Sequence, residues 1–309
     1  MNRIFTIGET VFDLIFSGGQ PEAGKAGGAM LNTAVTLGRL RMMPHLITEI
    51  ANDALGDVIV EFLKTNGVDT SFSYRYSDGK TPLALAFLDS AGNASYSFYR
   101  HSPTDRLAVA SPKFTSDDLV MFGSYFSISP PLRPAVQNIL RDAVKAGAAL
   151  FYDPNFRQSH QDELPLLLPA VEENLMMAKV VRGSDEDFFA LFGDRDADEA
   201  HSRCPNAILF YTMGKKGCFM ITPEGHTHYW EALPIVPVST IGAGDTFNAA
   251  LAYGIWFENL TFDAVHNPAC PVWDSIVRRA LRMSASVCLS YDNYISQQLA
   301  DQIYDGTED

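Results

Sequence analysis

Short apolar runs alternate with helical stretches through the second half of the chain, and this alternation restricts the fold more than any other feature of the sequence. The runs are LVMFG, ALFYD, AKVVRG and AILFYT, and the stretches between them include RPAVQNILRDAVKAG and ELPLLLPAVEENLMM. Buried strands joined by crossover helices predict an α/β fold with a three-layer, mostly parallel, doubly wound sheet. Ligands of such sheets bind beyond the carboxyl ends of the strands, so we expect functional residues in the loops that follow them.

The first third of the chain predicts a smaller element beside this sheet. RIFTIGE and HLITEI are expected to join the main sheet, while AMLNTAVTLGRL and LGDVIVEFLKTNG have helical periodicity. TPLALAFLDSAGNASYSFYR instead predicts two extended segments around an Ala-Gly-Asn turn, and no helical stretch lies beside it. We therefore predict a single domain over residues 1–309, with a small β lid formed by residues 13–26 and 81–105.

Composition excludes several classes of function. Hydrophobic residues make up 47% of the 309 residues, which suffices for a substantial core. A net charge of −14 without a basic block argues against nucleic-acid binding, because affinity for a phosphate backbone depends on clustered Lys and Arg. No apolar segment approaches the roughly 20 residues that span a bilayer, and the first residues do not resemble a signal peptide, so we expect no membrane association and a cytoplasmic location. The cysteines lack CxxC spacing and are expected to be reduced: Cys204, Cys218, Cys270 and Cys288.

The stretch VSTIGAGDTFNAALAYG predicts a helix that begins near Gly244, because apolar residues recur at helical spacing after Asp245. Glycines let a backbone approach a ligand closely, and a helix N-terminus favours negative charge, so the turn predicts an anion site. A lone Asp245 there would also serve as a carboxylate that complements the helix dipole, and the residues alone leave both interpretations open. If the ligand is a nucleotide phosphate, this carboxylate can accept a proton from the attacking hydroxyl.

The chain lacks a P-loop sequence, and GAGDTF differs from the dinucleotide-binding fingerprint. STIGAGDTFNAALAYG instead resembles the C-terminal signature of the PfkB, or ribokinase-like, carbohydrate kinase family, and GKAGGAMLNTAVTLGRL resembles its N-terminal signature. Further stretches, among them GETVFD, YDPNFR, RGSDEDFFALFG and FYTMGKKGCFMIT, keep the family's order, so the resemblance spans nearly the whole chain. It implies the ribokinase-like fold and ATP-dependent phosphoryl transfer to a sugar.

The resemblance assigns roles to two groups of residues. It implies that Asp245 is the general base and that an anion hole is formed by the backbone N–H groups of Gly242, Ala243 and Gly244. It implies that sugar hydroxyls are held by Asp13, Gly27, Gly28 and Asn32. Carboxylate and amide side chains suit this task because they take part in several hydrogen bonds at once. Without the resemblance, a turn-capping aspartate, a packing glycine pair and an Asn cap would also explain these residues.

Two arginines and one loop complete the site that the resemblance implies. Arg100 at the end of the lid hairpin and Arg157 in YDPNFR resemble positions near the substrate or the transferred phosphate, where a guanidinium fork suits a phosphate or a carboxylate. Thr212, Gly214 and Gly217 in TMGKKG resemble the nucleotide-side loop. Taken alone, these residues also fit exposed arginines and a strand-ending turn.

The chain departs from the family pattern at two places. The family usually has Asn-x-x-Glu near the metal and the phosphates, whereas this chain has Ser184 and Asp187 in SDED, as some fructokinase-like members do. We assign Ser184 to the nucleotide side and expect Asp187 to hold Mg²⁺ through water, because Mg²⁺ keeps several of its waters. Ser239 replaces the Asp that commonly serves a monovalent-cation site, so a requirement for potassium stays open.

The resemblance predicts an ATP-dependent sugar kinase that uses Mg²⁺. GETVFD, SYSFYR, YDPNFR and SDEDFF together resemble fructokinases most, so D-fructose is the first expected substrate and fructose 6-phosphate the product. One alternative is a 2-keto-3-deoxygluconate kinase, whose substrate carboxylate would engage Arg100 or Arg157. Another is a catalytically weak sugar-binding sensor, which Ser184 and Ser239 suggest. The expected partners are the sugar and ATP, and a homodimer through the lid is a further hypothesis.

Overall fold

The computed structural model describes residues 3–88, 94–258, 260 and 272–307. Its strands are β1 (Ile4–Ile7), β2 (Val11–Ser17), β3 (Gln20–Gly27), β4 (His45–Ile47), β5 (Glu49–Ala51), β6 (Tyr74–Tyr76), β7 (Lys80–Leu88), β8 (Ala94–His101), β9 (Leu119–Gly123), β10 (Ala149–Asp153), β11 (Val180–Ser184), β12 (Ile208–Thr212), β13 (Cys218–Ile221) and β14 (Thr227–Trp230). Its helices are α1 (Ala29–Arg39), α2 (Ala54–Thr65), α3 (Ser124–Ile128), α4 (Arg133–Lys145), α5 (Leu164–Met177), α6 (Asp185–Phe192), α7 (Ala197–Ser202), α8 (Ala243–Phe257), α9 (Val272–Cys288) and α10 (Gln297–Asp305).

Eight strands form the main sheet in the order β14-β13-β12-β11-β10-β9-β1-β4. The strands from β12 to β4 pair in parallel, and β13 and β14 add an antiparallel edge. Parallel neighbours need crossover connections, and helices supply them between β9 and β12. Each of the four apolar runs quoted above contains one of these strands, so the predicted three-layer, mostly parallel sheet is confirmed.

Both faces of the main sheet are buried, which explains why its strands are continuous apolar runs rather than alternating ones. In β9, Val120 and Phe122 pack on one face with side chains of α4 and α5, while Leu119 and Met121 pack on the other with α1, α8 and α9. All four side chains are at most 1% exposed. Burial of one such side chain contributes roughly 2 kcal/mol, so the two helix layers fix the strand ends and the loops beyond them.

A second sheet contains four strands in the order β3-β2-β7-β8. Its strand β2 runs parallel to β7, and the other neighbours are antiparallel. Phe12 and Ala26 of this sheet pack against apolar side chains of α1 and α2, while Phe87 and Tyr99 are 40% and 60% exposed. Most of both segments predicted as a lid lies in this sheet, and the predicted Ala-Gly-Asn turn falls within residues 89–93, outside the described residues.

Only the first half of HLITEI joins the main sheet. Strand β4 pairs with β1, but β5 leaves the sheet and pairs with β6 in a separate two-stranded sheet. Glu49 of β5 is buried, and its carboxylate binds the guanidinium of Arg106, with Oε2 and Nη2 2.8 Å apart. A buried carboxylate needs such a partner, and an apolar sheet face does not supply one.

Two of the simpler predictions concern membranes and thiols. Among the helices that the structure describes, none combines the length and the apolarity needed to cross a bilayer. Cys204, Cys218 and Cys288 are free, buried thiols, and Cys270 lies outside the described residues. Burial raises the pKa of Cys204 and of Cys218 to about 12, so both stay protonated and unreactive at neutral pH.

Candidate active site

The glycine turn lies at the amino end of α8. Gly242 is the N-cap residue, with a φ of 81° that glycine adopts without strain. A Cβ atom at Gly242 would lie 2.2 Å from the carbonyl oxygen of Asn293, and one at Gly244 would lie 2.6 Å from Nη1 of Arg182. Both positions therefore need glycine, because groups from other elements approach the turn closely.

The first turn of α8 presents backbone N–H groups at its amino end. The cap residue makes no side-chain hydrogen bond to them, and the N–H of Thr246 donates to the carbonyl of Gly242 at 2.8 Å. The N–H of Ala243 donates to the carbonyl of Thr240 over a long 3.4 Å. Helix N-termini of this kind bind anions through their N–H groups and the helix dipole. The turn is therefore a candidate anion hole.

Asp245 is buried in the same turn, and two amide side chains hold its carboxylate. Nδ2 of Asn32 donates to Oδ2 of Asp245 at 2.8 Å, and Nδ2 of Asn155 donates to Oδ1 at 3.4 Å. The hydroxyl of Thr33 donates to the carbonyl oxygen of Asp245 at 3.1 Å, which ties α1 to α8. The carboxylate is thus fixed beside the candidate anion hole by residues of two other elements.

The charge state of Asp245 is set by burial and by its neighbours. Burial raises the pKa of Asp245 to about 7, and the negative charge of Asp153 adds to this rise. The hydrogen bond from Asn32 and the positive charges of Arg157 and Arg182 act in the opposite direction. A carboxylate with a pKa near neutrality can accept a proton efficiently at physiological pH.

The aspartate and the glycine pair of the predicted sugar site are in contact. A Cβ atom at Gly27 would lie 2.3 Å from Oδ2 of Asp13, so this carboxylate lies directly against the glycine backbone. Asp13 is half-buried, and burial raises its pKa to about 6, against the effect of the positive charge of Lys25. Lys25 faces Asp13 across the pair β2 and β3 and donates to the carbonyl of Tyr291, which ties the second sheet to the segment after α9.

Asn32 connects this group to Asp245. It lies in the first turns of α1. The cap residue of this helix, Gly28, has a φ of 125°, and a Cβ atom on Gly28 would lie 2.2 Å from the carbonyl oxygen of Glu9. The N–H of Asn32 donates to the carbonyl of Gly28 at 2.8 Å. Oδ1 of Asn32 is buried and has no hydrogen-bond partner among the described residues. The side chain therefore orients Asp245 with one end and offers an acceptor with the other.

A buried network under the glycine turn contains residues to which the sequence reasoning gave no role. Nη1 of Arg182 and Oδ2 of Asp153 lie 3.2 Å apart, and Nη2 of Arg182 donates to the hydroxyl of Thr212 at 2.7 Å. Nδ2 of Asn248 donates to the same Oδ2 of Asp153 at 2.6 Å. The available signal was a charged residue inside the apolar run VVRG, because a charge in a buried strand needs a partner. Thr212 thus reaches the site as a partner of Arg182.

Asp187 and Ser184 form the amino cap of α6. Oδ2 of Asp187 accepts hydrogen bonds from the N–H and the hydroxyl of Ser184 at 2.9 and 2.6 Å, and Oδ1 accepts one from the N–H of Phe156 at 2.8 Å. The described residues contain no group of three or more His, Cys, Asp or Glu side chains that could hold a metal ion. Both oxygens of Asp187 therefore already accept hydrogen bonds from the protein, and a magnesium ion near it would be held through water and not by a cage of protein ligands.

The remaining predicted residues surround this centre at its surface. Gly214 and Gly217 have φ angles of 53° and 106°, and a Cβ atom at Gly217 would lie 2.0 Å from the carbonyl oxygen of Trp230. Arg157 is exposed in the loop after β10, and Arg100 is exposed on β8 with its Cζ 5.1 Å from the ring centre of Phe98. These two arginines are not in hydrogen-bond contact with Asp245. Separately, the hydroxyl of Ser239 accepts from the N–H of Ile241 at 3.2 Å.

Comparison with known proteins adds an independent finding. Residues 1–259 match the family model of the pfkB family carbohydrate kinases. The chain is 30% identical over 268 residues to a fructokinase of Rhizobium leguminosarum bv. trifolii, across 83% of this chain and 81% of that protein. It is 31% identical over 242 residues to fructokinase-2 of Solanum lycopersicum, across 73% of this chain and 71% of that protein.

Solved structures share the fold. A fructokinase double mutant from Vibrio cholerae, in a form with fructose, ADP and potassium ion bound, has a TM-score of 0.84 at 23% identity and covers 98% of both chains. Aminoimidazole riboside kinase from Salmonella enterica, complexed with aminoimidazole riboside and an ATP analog, has a TM-score of 0.78 at 20% identity, with 98% of this chain and 100% of that chain covered. At these identities the likeness establishes the ribokinase-like fold alone.

The ribokinase-like fold, with a buried carboxylate beside a candidate anion site, is the arrangement that a kinase of small molecules needs. The match over most of the chain makes the class specific. The chain belongs to the pfkB family of carbohydrate kinases.

Proposed function

We propose that this protein transfers the γ-phosphoryl group of ATP to D-fructose and forms fructose 6-phosphate and ADP. The observation that carries the proposal is the buried carboxylate of Asp245 beside the glycine turn of α8, oriented by Asn32 and Asn155. In this geometry the carboxylate accepts the proton of a sugar hydroxyl. The hydroxyl oxygen attacks the γ-phosphorus, and the bond from that phosphorus to the bridging oxygen of ADP breaks.

The glycine turn stabilises the charge that develops during this transfer. The backbone N–H groups of Gly242, Ala243 and Gly244 face a negative group at the amino end of α8, where the helix dipole adds to the hydrogen bonds. The N–H of Ala243 is available because its bond to Thr240 is long, at 3.4 Å. Preorganised donors of this kind each contribute about 3 kcal/mol to transition-state stabilisation.

The sugar lies between the second sheet and α1. Asp13 and Oδ1 of Asn32 accept hydrogen bonds from its hydroxyls, and the missing side chain of Gly27 lets the carboxylate of Asp13 lie directly against the backbone. Arg100 and Arg157 approach the substrate or the transferred phosphoryl group when the lid closes. Closure excludes water, which would otherwise compete with the sugar for the phosphoryl group.

The nucleotide lies on the side of β12 and α6. Gly214 and Gly217 let the backbone pass close to ATP, and Thr212 and Ser184 supply hydroxyl groups. Asp187 would hold Mg²⁺ through water, and the ion would supply positive charge against the phosphates. A requirement for potassium stays open, because Ser239 offers a hydroxyl, which accepts from the N–H of Ile241, in place of a carboxylate.

Fructose is favoured over the alternatives by the names of the relatives. Both sequence relatives described above are fructokinases, and neither is named a 2-keto-3-deoxygluconate kinase. A catalytically weak sensor is disfavoured by Asp245, which is present, buried and hydrogen bonded. We further propose a cytoplasmic location, where ATP is abundant, and a homodimer through the second sheet.

The test is ADP release from Mg-ATP with a panel of acceptors: D-fructose, 2-keto-3-deoxygluconate, ribose, tagatose and adenosine. We expect D-fructose to stimulate release most strongly. Stimulation by 2-keto-3-deoxygluconate alone would replace fructose in the proposal while leaving the kinase chemistry in place. If no acceptor stimulates release but a sugar binds in calorimetry, the protein is a sensor and the proposal fails.

A further inference from the structure

Arg182 places a full positive charge directly under the glycine turn, inside the protein. The residue lies in β11 and is 8% exposed. Its guanidinium faces the backbone of Gly244, since a Cβ atom there would lie 2.6 Å from Nη1 and 3.0 Å from Cζ and from Nη2. The guanidinium thus lies directly against the backbone of the candidate anion hole.

Burial lowers the pKa of Arg182, but the negative charges of Asp153, Asp187 and Asp245 raise it above its ordinary value, so the buried guanidinium stays charged. One carboxylate, of Asp153, and one hydroxyl, of Thr212, accept its hydrogen bonds. Its Nε is buried and has no hydrogen-bond partner among the described residues. A buried guanidinium with incomplete partners is costly, and an apolar side chain of similar volume in a buried strand would cost less. The unpaired Nε and the close contact with the backbone of Gly244 indicate that Arg182 does more here than pair with Asp153.

We propose that Arg182 is a positioning residue for phosphoryl transfer: its guanidinium holds the backbone of Gly244 in place and supplies positive charge beneath the anion hole. The proposal rests on the proposed kinase function. Arg182 does not touch the substrate in this account. It acts through the amides of the turn and through Asp245.

Asp245 is the group through which this charge can be measured. Three charged groups face it: Asp153 from β10, Arg157 from the loop after β10, and Arg182 from β11. Asn32 from α1 and Asn155 add neutral hydrogen bonds. The positive charges lower the pKa of Asp245 and thereby keep the carboxylate ionised to lower pH. Removal of the Arg182 charge should raise that pKa.

The test compares Arg182→Met, Arg182→Lys and a control, Arg133→Met. Arg133 is also a mostly buried arginine, but its guanidinium binds Glu173 and Asn174, between α4 and α5. Two quantities are measured in each protein: the pH dependence of kcat with the best acceptor of the panel, and the pKa of the Asp245 carboxyl carbon by ¹³C NMR, assigned by its absence in Asp245→Asn.

We expect Arg182→Met to lower kcat about 100-fold, with a much smaller change in the KM for the sugar. The acid limb of the pH profile of kcat and the pKa of the Asp245 carboxyl should both rise by about one unit. Arg182→Lys keeps a charge, so its acid limb should stay near that of the wild type while kcat falls roughly tenfold because the fork is lost. Arg133→Met should lower thermal stability and leave both pH readouts unchanged.

The inference is overturned if the carboxyl pKa in Arg182→Met equals that of the wild type, or if Arg182→Lys retains the full wild-type kcat. If Arg182→Met does not fold, Arg182→Gln makes the same comparison with a neutral side chain. Failure of the proposed function is a separate outcome, because it appears as a wild-type protein that phosphorylates no acceptor. In that case the NMR titration still shows whether the charge of Arg182 acts on Asp245, but the role in phosphoryl transfer fails with the function.

Discussion

Asp245 combines two properties that conflict in an ordinary protein core. Its carboxylate is buried, which destabilises the ionised form, yet the proposed chemistry needs that form. Burial raises the pKa of Asp245 to about 7, while Asn32, Arg157 and Arg182 limit the rise. The residue is therefore a base that is ionised over the upper part of the physiological range, and it gains proton affinity from the same burial.

The activity should consequently fall on the acid side of neutrality. A base works only when deprotonated, so kcat should decline tenfold per pH unit below the pKa of Asp245 in the ternary complex, which is about 7 in the free protein. The measurement is kcat at saturating substrates from pH 5 to pH 9. A kcat that stays constant down to pH 5 would contradict the assignment of the base.

Asp245→Asn should be more stable than the wild type at high pH. The pKa of Asp245 rises from 3.8 to about 7 on folding, so its stabilising effect is complete below 3.8 and is lost as pH rises through about 7. At pH 8 the wild type carries a cost of up to about 4 kcal/mol that an uncharged amide avoids. In urea unfolding, the free energy of unfolding of the variant should exceed that of the wild type at pH 8, and the difference should decrease towards pH 4. An equal gap at both pH values would show that ionisation is not the cause.

At the scale of elements, the start of α1 depends on how closely two backbones approach. Gly28→Ala would combine a φ of 125° with a Cβ atom 2.2 Å from the carbonyl oxygen of Glu9, so we expect severe loss of stability and of sugar binding. Gly193 at the end of α6 is a matched control, since its φ is 76° and no atom lies within 4 Å of its Cβ position. Gly193→Ala should cost only about 1 kcal/mol in urea unfolding, with sugar KM unchanged. If Gly28→Ala and Gly193→Ala lose equal stability, the close approach of the Glu9 carbonyl to Gly28 is not the reason that glycine is needed there.

The elements themselves were largely predictable from the sequence. Continuous apolar runs identified the parallel strands, and the periodicity after Asp245 located α8, because both signals are local. The separation of β5 from β4 was not predictable, because its pairing partner β6, at Tyr74–Tyr76, lies beyond the helix α2 and gives no signal within HLITEI. The role of Arg182 was missed for a similar reason. Its charge was visible in VVRG, but only the pairing of β10 with β11 brings it to Asp153 and under Gly244.

At the scale of the whole molecule, the fold assembles the site from distant parts of the chain. Asn32 and Asp245 are 213 residues apart in sequence, yet their side chains share a hydrogen bond because α1 and α8 pack side by side. The residues proposed for the sugar side and those proposed for the phosphate side therefore meet at the carboxylate of Asp245. A local sequence signal identifies the stretch around Asn32 and the stretch around Asp245 separately. Only the resemblance to a family predicts that the two stretches form one site.

The exposed edge of the second sheet leads us to expect a homodimer. Strand β8 is an edge strand, and its Phe98 and Tyr99 are 51% and 60% exposed. Edge strands with exposed aromatic residues pair readily with another copy of themselves. Light scattering should give twice the chain mass of 34.0 kDa. Tyr99→Arg should shift this mass towards one chain, whereas Leu166→Arg, at an exposed position of α5, should not. A wild-type protein of single-chain mass would exclude the dimer.

The role of Asp245 as the base of phosphoryl transfer is tested by ³¹P NMR of a reaction that contains Mg-ATP and D-fructose, with wild-type protein and with Asp245→Asn in parallel. We predict a sugar phosphate signal that grows with the wild type, and a rate several orders of magnitude lower with the variant, which should still bind both substrates in calorimetry. If the variant forms the sugar phosphate at close to the wild-type rate, the carboxylate of Asp245 is not the base.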